Sequence, residues 1–166
     1  MLYTIDSVYV VRNGAVVRRV PSGNPFLPFV SAIYTQPVSA SLRDLKLFDF
    51  DITRMHEQVW QGKRVYVVGA ASADDVRSPQ FWIDADRMIA VRMLLPAQPG
   101  PTAPMEDIRL ENYVQLGGSW LATHVVLLVD GKPRQLEDYT DYHIDVPLSP
   151  TLLEAEHWKD APHWKP

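Results

Sequence analysis

The sequence predicts a mainly β fold with a few helices, in which a curved antiparallel sheet has its concave face covered by helices. Three observations support this class. Residues 63–145 alternate polar and apolar side chains almost without interruption, and Gly, Pro, Asp or Asn residues cut the alternation into strand-length pieces. The dipeptide Asn13-Gly14 is typical of a two-residue β-hairpin turn. Residues 25–50 space their apolar side chains as helices do.

The first predicted element is a hairpin that joins residues 3–12 to residues 15–20. Both central residues of a type I′ turn need positive φ, which Asn and Gly tolerate. Because residues 3–12 would then form an edge strand, a homodimer paired through that N-terminal edge is a predicted assembly.

Two short helices are predicted within residues 25–50. The first would begin with Pro25 at its first helical position, and Pro28 would limit it to a turn or two. The second would be capped by Ser39 or Ser41 and would place Leu42 and Leu45 on one side. These helices would act either as ordinary cover for the sheet or as a plug or lid over a ligand.

Six strands follow, joined as a meander. Their predicted spans are 64–69, 80–84, 88–95, 107–115, 120–130 and 134–146, with turns at Gln61-Gly62, Ala85-Asp86, Gly117-Gly118 and Asp130-Gly131. The Pro-rich residues 96–104 cannot join a ladder, so they are predicted to form a long hairpin loop.

Side-chain parity predicts which strand faces are buried. Ile108 and Leu110 share one face of their strand while Asp107 and Arg109 share the other, and the period of two breaks at Asn112 and Tyr113. Residues 125–129 are apolar on both faces, so this strand is predicted to be central and covered on both sides.

Length and composition limit the class of protein. A chain of 166 residues fits one domain, and with no Cys it has no disulfide and no thiolate metal site. The net charge of −4, with basic residues scattered among acids, argues against a nucleic-acid partner. No apolar run reaches the roughly 18 residues that span a bilayer, and the N-terminus has a strand-like pattern rather than that of a signal peptide.

The sequence contains few residue patterns that are typical of catalytic, metal or cofactor sites. The five His residues lack zinc-site spacing, and neither a nucleophile elbow nor a Gly-rich phosphate loop is present. We therefore expect no catalytic residue, no metal site, no cofactor and no enzymatic activity. Parity leaves Arg92, Asn112 and His124 as the polar side chains that an enzyme built inside the sheet would use, with Arg92 and His124 expected to be satisfied or exposed strand residues.

Several short strings resemble a known family. Residues 62–70 (GKRVYVVGA), 80–84 (QFWID) and 89–92 (IAVR) resemble the central hairpins of the outer-membrane lipoprotein-sorting proteins, the LolA-like lipoprotein carriers. Residues 113–123 and 145–153 resemble the later strands and the terminal turn of that family. Family members usually begin with a secretion signal, a long amphipathic helix and early strands, so the N-terminal part is expected to be missing or reduced here.

The resemblance implies a single LolA-like domain over residues 1–166, with a helical plug or lid at residues 25–50 and an irregular tail at residues 154–166. It implies an incomplete β-barrel that binds lipid or lipoprotein acyl chains in an apolar cavity, as a periplasmic carrier or sorting factor. Two alternatives remain open. One is a structural or protein-interaction domain of an envelope complex that has no lipid ligand, and the other is a hydrolase with its site inside the barrel.

Parity within the predicted strands selects the side chains that would line such a cavity. Met93 would supply a soft surface that tolerates varied acyl chains. The predicted lipid-binding cavity consists of Phe81, Ile83, Val91, Met93, Ile108, Leu110, Val126 and Leu128.

Overall fold

A computed structural model of the chain describes residues 2–3, 7–21, 36–157 and 160. The described residues form ten strands, and their order in each sheet is their order in the sequence. The strands are β1 (Leu2–Tyr3), β2 (Ser7–Arg12), β3 (Ala15–Pro21), β4 (Met55–Trp60), β5 (Lys63–Val68), β6 (Gln80–Asp84), β7 (Ala90–Pro96), β8 (Met105–Leu116), β9 (Ser119–Val129) and β10 (Lys132–Asp138). The predicted mainly β, antiparallel class is confirmed.

The chain divides into two compact units. One contains Met1–Val38 together with Asp145–Pro166, and the other contains Ser39–Ile144. The first unit holds the three-stranded sheet β1-β2-β3 and short 3₁₀ helices at Pro150–Leu153 and Ala155–His157. The second holds an open seven-stranded sheet in which β4 and β10 are the edge strands among the described residues.

The predicted N-terminal hairpin is confirmed, but its first strand is divided in two. Asn13 and Gly14 have φ values of 51° and 78°, as a type I′ turn requires, and Arg12 pairs with Ala15 across it. The run 3–12 is not one strand, because β1 pairs with β2 through Tyr3 and Val8. Strand β2 therefore has partners on both sides at Val8 and Tyr9, and among the described residues β1 is an edge strand of this sheet, so a homodimer through the N-terminal edge stays a prediction.

Three of the four other predicted turns have the same geometry. Positive φ occurs at both central residues of Gln61-Gly62, Gly117-Gly118 and Asp130-Gly131. The turn at Ala85-Asp86 is different, because the Asp84 carbonyl accepts from the Met88 amide and the positive φ falls at Met88. Residues 97–104 form the predicted long loop, closed by a 2.8 Å hydrogen bond from the Ala97 amide to the Pro104 carbonyl.

Some strand boundaries differ from the prediction. Strand β4 was not predicted, because its exposed face mixes Met55, Glu57 and Val59. Strand β10 ends at Asp138 rather than at residue 146, since Asp141 and Asp145 adopt positive φ, which is incompatible with an extended strand. The doubly covered strands are β6 and β7, where most residues are buried, whereas β9 lies next to the edge strand β10 and has only one buried residue, Val125. The predicted central position of residues 120–130 is therefore wrong.

One α-helix, α1 (Val38–Leu47), lies among the described residues. It begins upstream of Ser39 and Ser41, so neither serine caps it as predicted. The chain then turns at Asp49, and the Phe50 amide donates to the Leu45 carbonyl at 3.3 Å. The other predicted helix, which would begin at Pro25, lies outside the described residues.

Candidate functional site

The strand register of the seven-stranded sheet places six apolar side chains in one continuous line. Residues that pair across antiparallel strands share a face of the sheet. Successive pairs therefore define the apolar row, which crosses six strands through Met55, Val68, Phe81, Met93, Ile108 and Leu127.

The eight predicted cavity residues divide between the two faces of the sheet. Phe81, Met93 and Ile108 belong to the apolar row, and Ile83 and Leu110 lie two residues along on the same face. The other three lie on the opposite face, and the structure does not bring them to the row.

Each of these three has a register-based reason for its position. Val126 pairs with Arg109 and Leu128 pairs with Asp107, so both share the face of those charged residues. Val91 lies at the register shift between β6 and β7, which turns it towards the buried cluster of Val65, Val67 and Trp82.

The centre of the apolar row is closely packed. The exposed fraction of Met93 is 0%, so no space that admits a water molecule borders its side chain. The ring of Phe50 packs edge-to-face on Phe81, with 5.2 Å between ring centroids and an interplanar angle of 88°. Exposure returns at the β4 edge, where Met55 is 59% exposed. The row therefore runs from a covered centre to an uncovered end.

A charged network lies on the opposite face. Arg92 donates to both carboxylate oxygens of Asp107 at 2.7 and 2.9 Å, and Arg109 donates to the same carboxylate at 2.8 and 3.1 Å. Burial acts to raise the pKa of Asp107, but the hydrogen bonds and positive charges of the two arginines outweigh it and hold that pKa below its usual value. The guanidinium of Arg92 also lies over the rings of Trp82 and Trp60. The charged groups of this network make their hydrogen bonds to one another, as expected for a structural ion pair.

The polar residues that parity selected do not converge on one point. Arg92 is engaged by Asp107, as just described. His124 pairs across strands with Glu111, and its Nδ1 lies 2.7 Å from an oxygen of the exposed Asp138. Asn112 is exposed and has a φ of 52°. These three side chains form no common polar cluster.

A cleft of about 330 Å³ opens near the β4–β5 turn and the adjacent part of β8. Its lining combines aromatic, charged, amide and apolar side chains, which come from three separate stretches of sequence. The lining residues are Trp60, Gln61, Lys63, Val65, Asp84, Arg87, Val91, Leu110, Glu111, Asn112 and Tyr113. Only Val91 and Leu110 belong to the predicted cavity.

One wall of the cleft is fixed by an ion pair at the end of β6. Asp84 accepts from the backbone amides of Asp86 and Arg87 and from the Arg87 guanidinium, the latter at 2.7 and 2.9 Å. Burial acts to raise the pKa of Asp84, but the Arg87 hydrogen bonds and charge lower it overall. The guanidinium carbon of Arg87 lies 5.3 Å from the ring centroid of Tyr113 and 5.1 Å from that of Trp120. This wall is therefore built before any ligand arrives.

Other lining residues of the cleft keep unused hydrogen-bonding capacity. The Gln61 amide donates to Glu111 at 3.1 Å, which leaves the second Glu111 oxygen open. Lys63 is exposed and makes no ion pair with another residue of the part of the chain that the structure describes. The sequence predicts a turn at Gln61 and a break in alternation at Asn112 and Tyr113, but no local pattern in it indicates that these residues lie together.

The described residues contain no group of three or more His, Cys, Asp or Glu side chains placed to hold a metal ion. Within the same residues, no helix is both long enough and apolar enough to cross a membrane. Comparison with family models, with curated proteins and with solved structures found no match. The LolA-like resemblance therefore stays a prediction from the sequence.

Proposed function

We propose that the chain is a non-enzymatic binding protein that takes lipid or lipoprotein acyl chains along the apolar row, as a periplasmic carrier or sorting factor of the LolA-like kind. The observation that carries the proposal is the row itself. A line of apolar side chains across six neighbouring strands matches the shape and chemistry of an extended acyl chain.

Because the centre of the row is packed, an acyl chain can bind there only by displacing a side chain that already covers the row. Because Met93 has no exposed surface and Phe50 lies on Phe81, an acyl chain has to displace the Phe50 ring to reach the middle of the row. The ligand would cover the Phe81 surface that Phe50 gives up, so the cost of the exchange is the exposure of the Phe50 ring, which is 4% exposed in the structure. Met55 at the exposed end of the row supplies the first contact.

The same packing also favours the alternative of a protein-interaction domain of an envelope complex with no lipid ligand. In that case Phe50 is a permanent part of the core, and the row is closed because its own side chains fill it. A measurement of lipid binding distinguishes the two functions.

The experiment measures binding of an apolar fluorescent probe and its displacement by a fatty acid. Met55→Asp puts a charge on the exposed end of the row. We expect probe affinity to fall about tenfold, because the carboxylate would lose water when an apolar ligand covers it. Leu136→Asp is the matched control, since Leu136 is 61% exposed, close to the 59% of Met55, but lies across from Val126 on the opposite face.

Phe50→Ala removes the cover, so we expect it to bind the probe more tightly than the parent does. Circular dichroism and thermal unfolding establish that each variant is folded. The proposal is abandoned if the parent does not bind the probe, or if Met55→Asp and Leu136→Asp change affinity equally.

A further inference from the structure

We propose that the cleft between the β4–β5 turn and β8 is a second binding site, which takes a neutral saccharide of one or two pyranose rings. The site lies away from the apolar row and does not depend on acyl-chain binding.

The aromatic residues give the cleft its apolar contact surface. Trp60 and Tyr113 both line it, and each is held by a contact with a neighbouring residue. Trp60 packs edge-to-face on Trp82 with 5.8 Å between centroids, and the Tyr113 hydroxyl donates to the Ala90 carbonyl. Rings fixed in this way lose little conformational freedom when a ligand stacks on them. The apolar C–H faces of a pyranose ring suit such surfaces.

The charges of the cleft balance, which argues against an ionic ligand. Asp84 and Arg87 neutralise one another in a direct ion pair. Lys63 and Glu111 contribute one charge of each sign. An anion would meet two carboxylates and a cation would meet two basic groups, so a neutral molecule is favoured on electrostatic grounds.

The remaining polar groups can both donate and accept. Lys63 donates only, Glu111 accepts through its second oxygen, and the side chain of Asn112 does both. Sugar hydroxyls also act as donors and acceptors, so they can satisfy such a mixed set, whereas an apolar ligand would leave these groups unpaired. The cleft volume of about 330 Å³ lies at the low end of the ~300–1,000 Å³ typical of small-molecule sites.

The geometry favours binding rather than hydrolysis at this site. Most glycosidases need two carboxyl groups that act on the substrate, one as the acid and the other as the base or nucleophile, and the cleft contains only Asp84 and Glu111. The Asp84 carboxylate instead accepts four hydrogen bonds from the turn and from Arg87, and these interactions hold its pKa below the usual value. Asp84 is therefore a positioning residue for Arg87.

The test is titration of the protein with cellobiose, maltose and N,N′-diacetylchitobiose, followed by two-dimensional NMR. We expect at least one sugar to shift the indole N–H of Trp60 and the amide signals of Lys63 and Glu111. The affinity should not change between low and high salt, because a neutral ligand has no charge to screen.

Lys63→Met should weaken the affinity about fivefold, the effect expected from loss of one hydrogen bond. Lys132→Met is the matched control, since Lys132 is an exposed lysine on β10 at the other edge of the sheet, and it should leave the affinity unchanged. Both replaced side chains are exposed, so both variants should fold.

The proposal is overturned if none of the three sugars shifts these signals at millimolar concentration. Equal weakening by Lys63→Met and Lys132→Met would also overturn it, as would shifts at these residues caused by inorganic phosphate or by a fatty acid but by no sugar. The acyl-chain proposal is unaffected by the first two outcomes, because its probe and its Met55→Asp variant report on the other face.

Discussion

The guanidinium carbon of Arg92 lies 4.3 Å from the centroid of the Trp82 ring, while the same guanidinium holds Asp107 through two hydrogen bonds. Arg92 thus joins an aromatic contact between neighbouring strands β6 and β7 to an ion pair between β7 and β8. Both partners of Arg92 are buried, with Trp82 at 6% and Asp107 at 8% exposure.

Replacing Arg92 by Ala should lower the free energy of unfolding by about 2–4 kcal/mol, because it removes a cation–π contact and leaves the buried Asp107 with only Arg109. Urea unfolding measures the change. Arg64→Ala is the matched control. Arg64 and its partner Asp86 are both largely exposed, so that change should cost no more than about 1 kcal/mol. Equal losses in the two variants would contradict the assignment of Arg92 to the core of the sheet.

The stability of the fold should fall on the acid side because of Asp107 and Asp84. The pKa of each is lower in the folded chain than the ~3.9 of an unfolded Asp. The stabilisation is therefore complete above the unfolded pKa and is lost as the pH falls from about 5 through the lower folded pKa.

Asp107→Asn removes one of these groups, so unfolding free energies measured between pH 7 and pH 3 should show a shallower pH dependence than the parent. Asp86→Asn, at an exposed turn position, is the control. An unchanged slope in Asp107→Asn would show that the arginine pair does not stabilise the ionised carboxylate.

Gly69→Ala should be strongly destabilising. Gly69 has a φ of 109°, and an added Cβ would lie 2.1 Å from the Pro79 carbonyl oxygen, which is backbone and cannot move away cheaply. The expected loss is about 3 kcal/mol or more, from backbone strain and overpacking together. Gly62→Ala separates the two causes, since Gly62 has a φ of 74° but nothing within 4 Å of the new Cβ. That change should cost only about 1 kcal/mol. Thermal or urea unfolding of both variants measures the difference, and similar losses would mean that β5 and the Pro79 backbone are farther apart than the structure shows.

The sequence predicted most of the seven-stranded sheet because turns and alternation are local properties. Gln61-Gly62, Gly117-Gly118 and Asp130-Gly131 mark their turns with residues that tolerate positive φ. Strand β4 was not predicted because its exposed face carries Met55 and Val59 beside Glu57, which weakens the alternation of polar and apolar residues.

The register between strands is not a local property, and it decides which of the predicted cavity residues share a face of the sheet. Residues 125–129 are apolar on both faces, so parity alone does not say whether Val126 or Leu127 faces the apolar row. The pairing of Ile108 with Leu127 decides it. A one-residue shift of register moves every side chain of a strand to the other face. The cleft was missed for a related reason, since Gln61 and Glu111 meet only after four strands have formed.

The order of the strands also has a consequence for how the sheet is made. From β4 to β10 every strand pairs only with its neighbours in the sequence. Each pairing contact between strands therefore spans little more than one hairpin. Local contacts of this kind are formed at small entropic cost and favour fast folding. As the chain leaves the ribosome, each new strand finds the one upstream partner that it needs already synthesised, and the sheet can grow by one strand at a time.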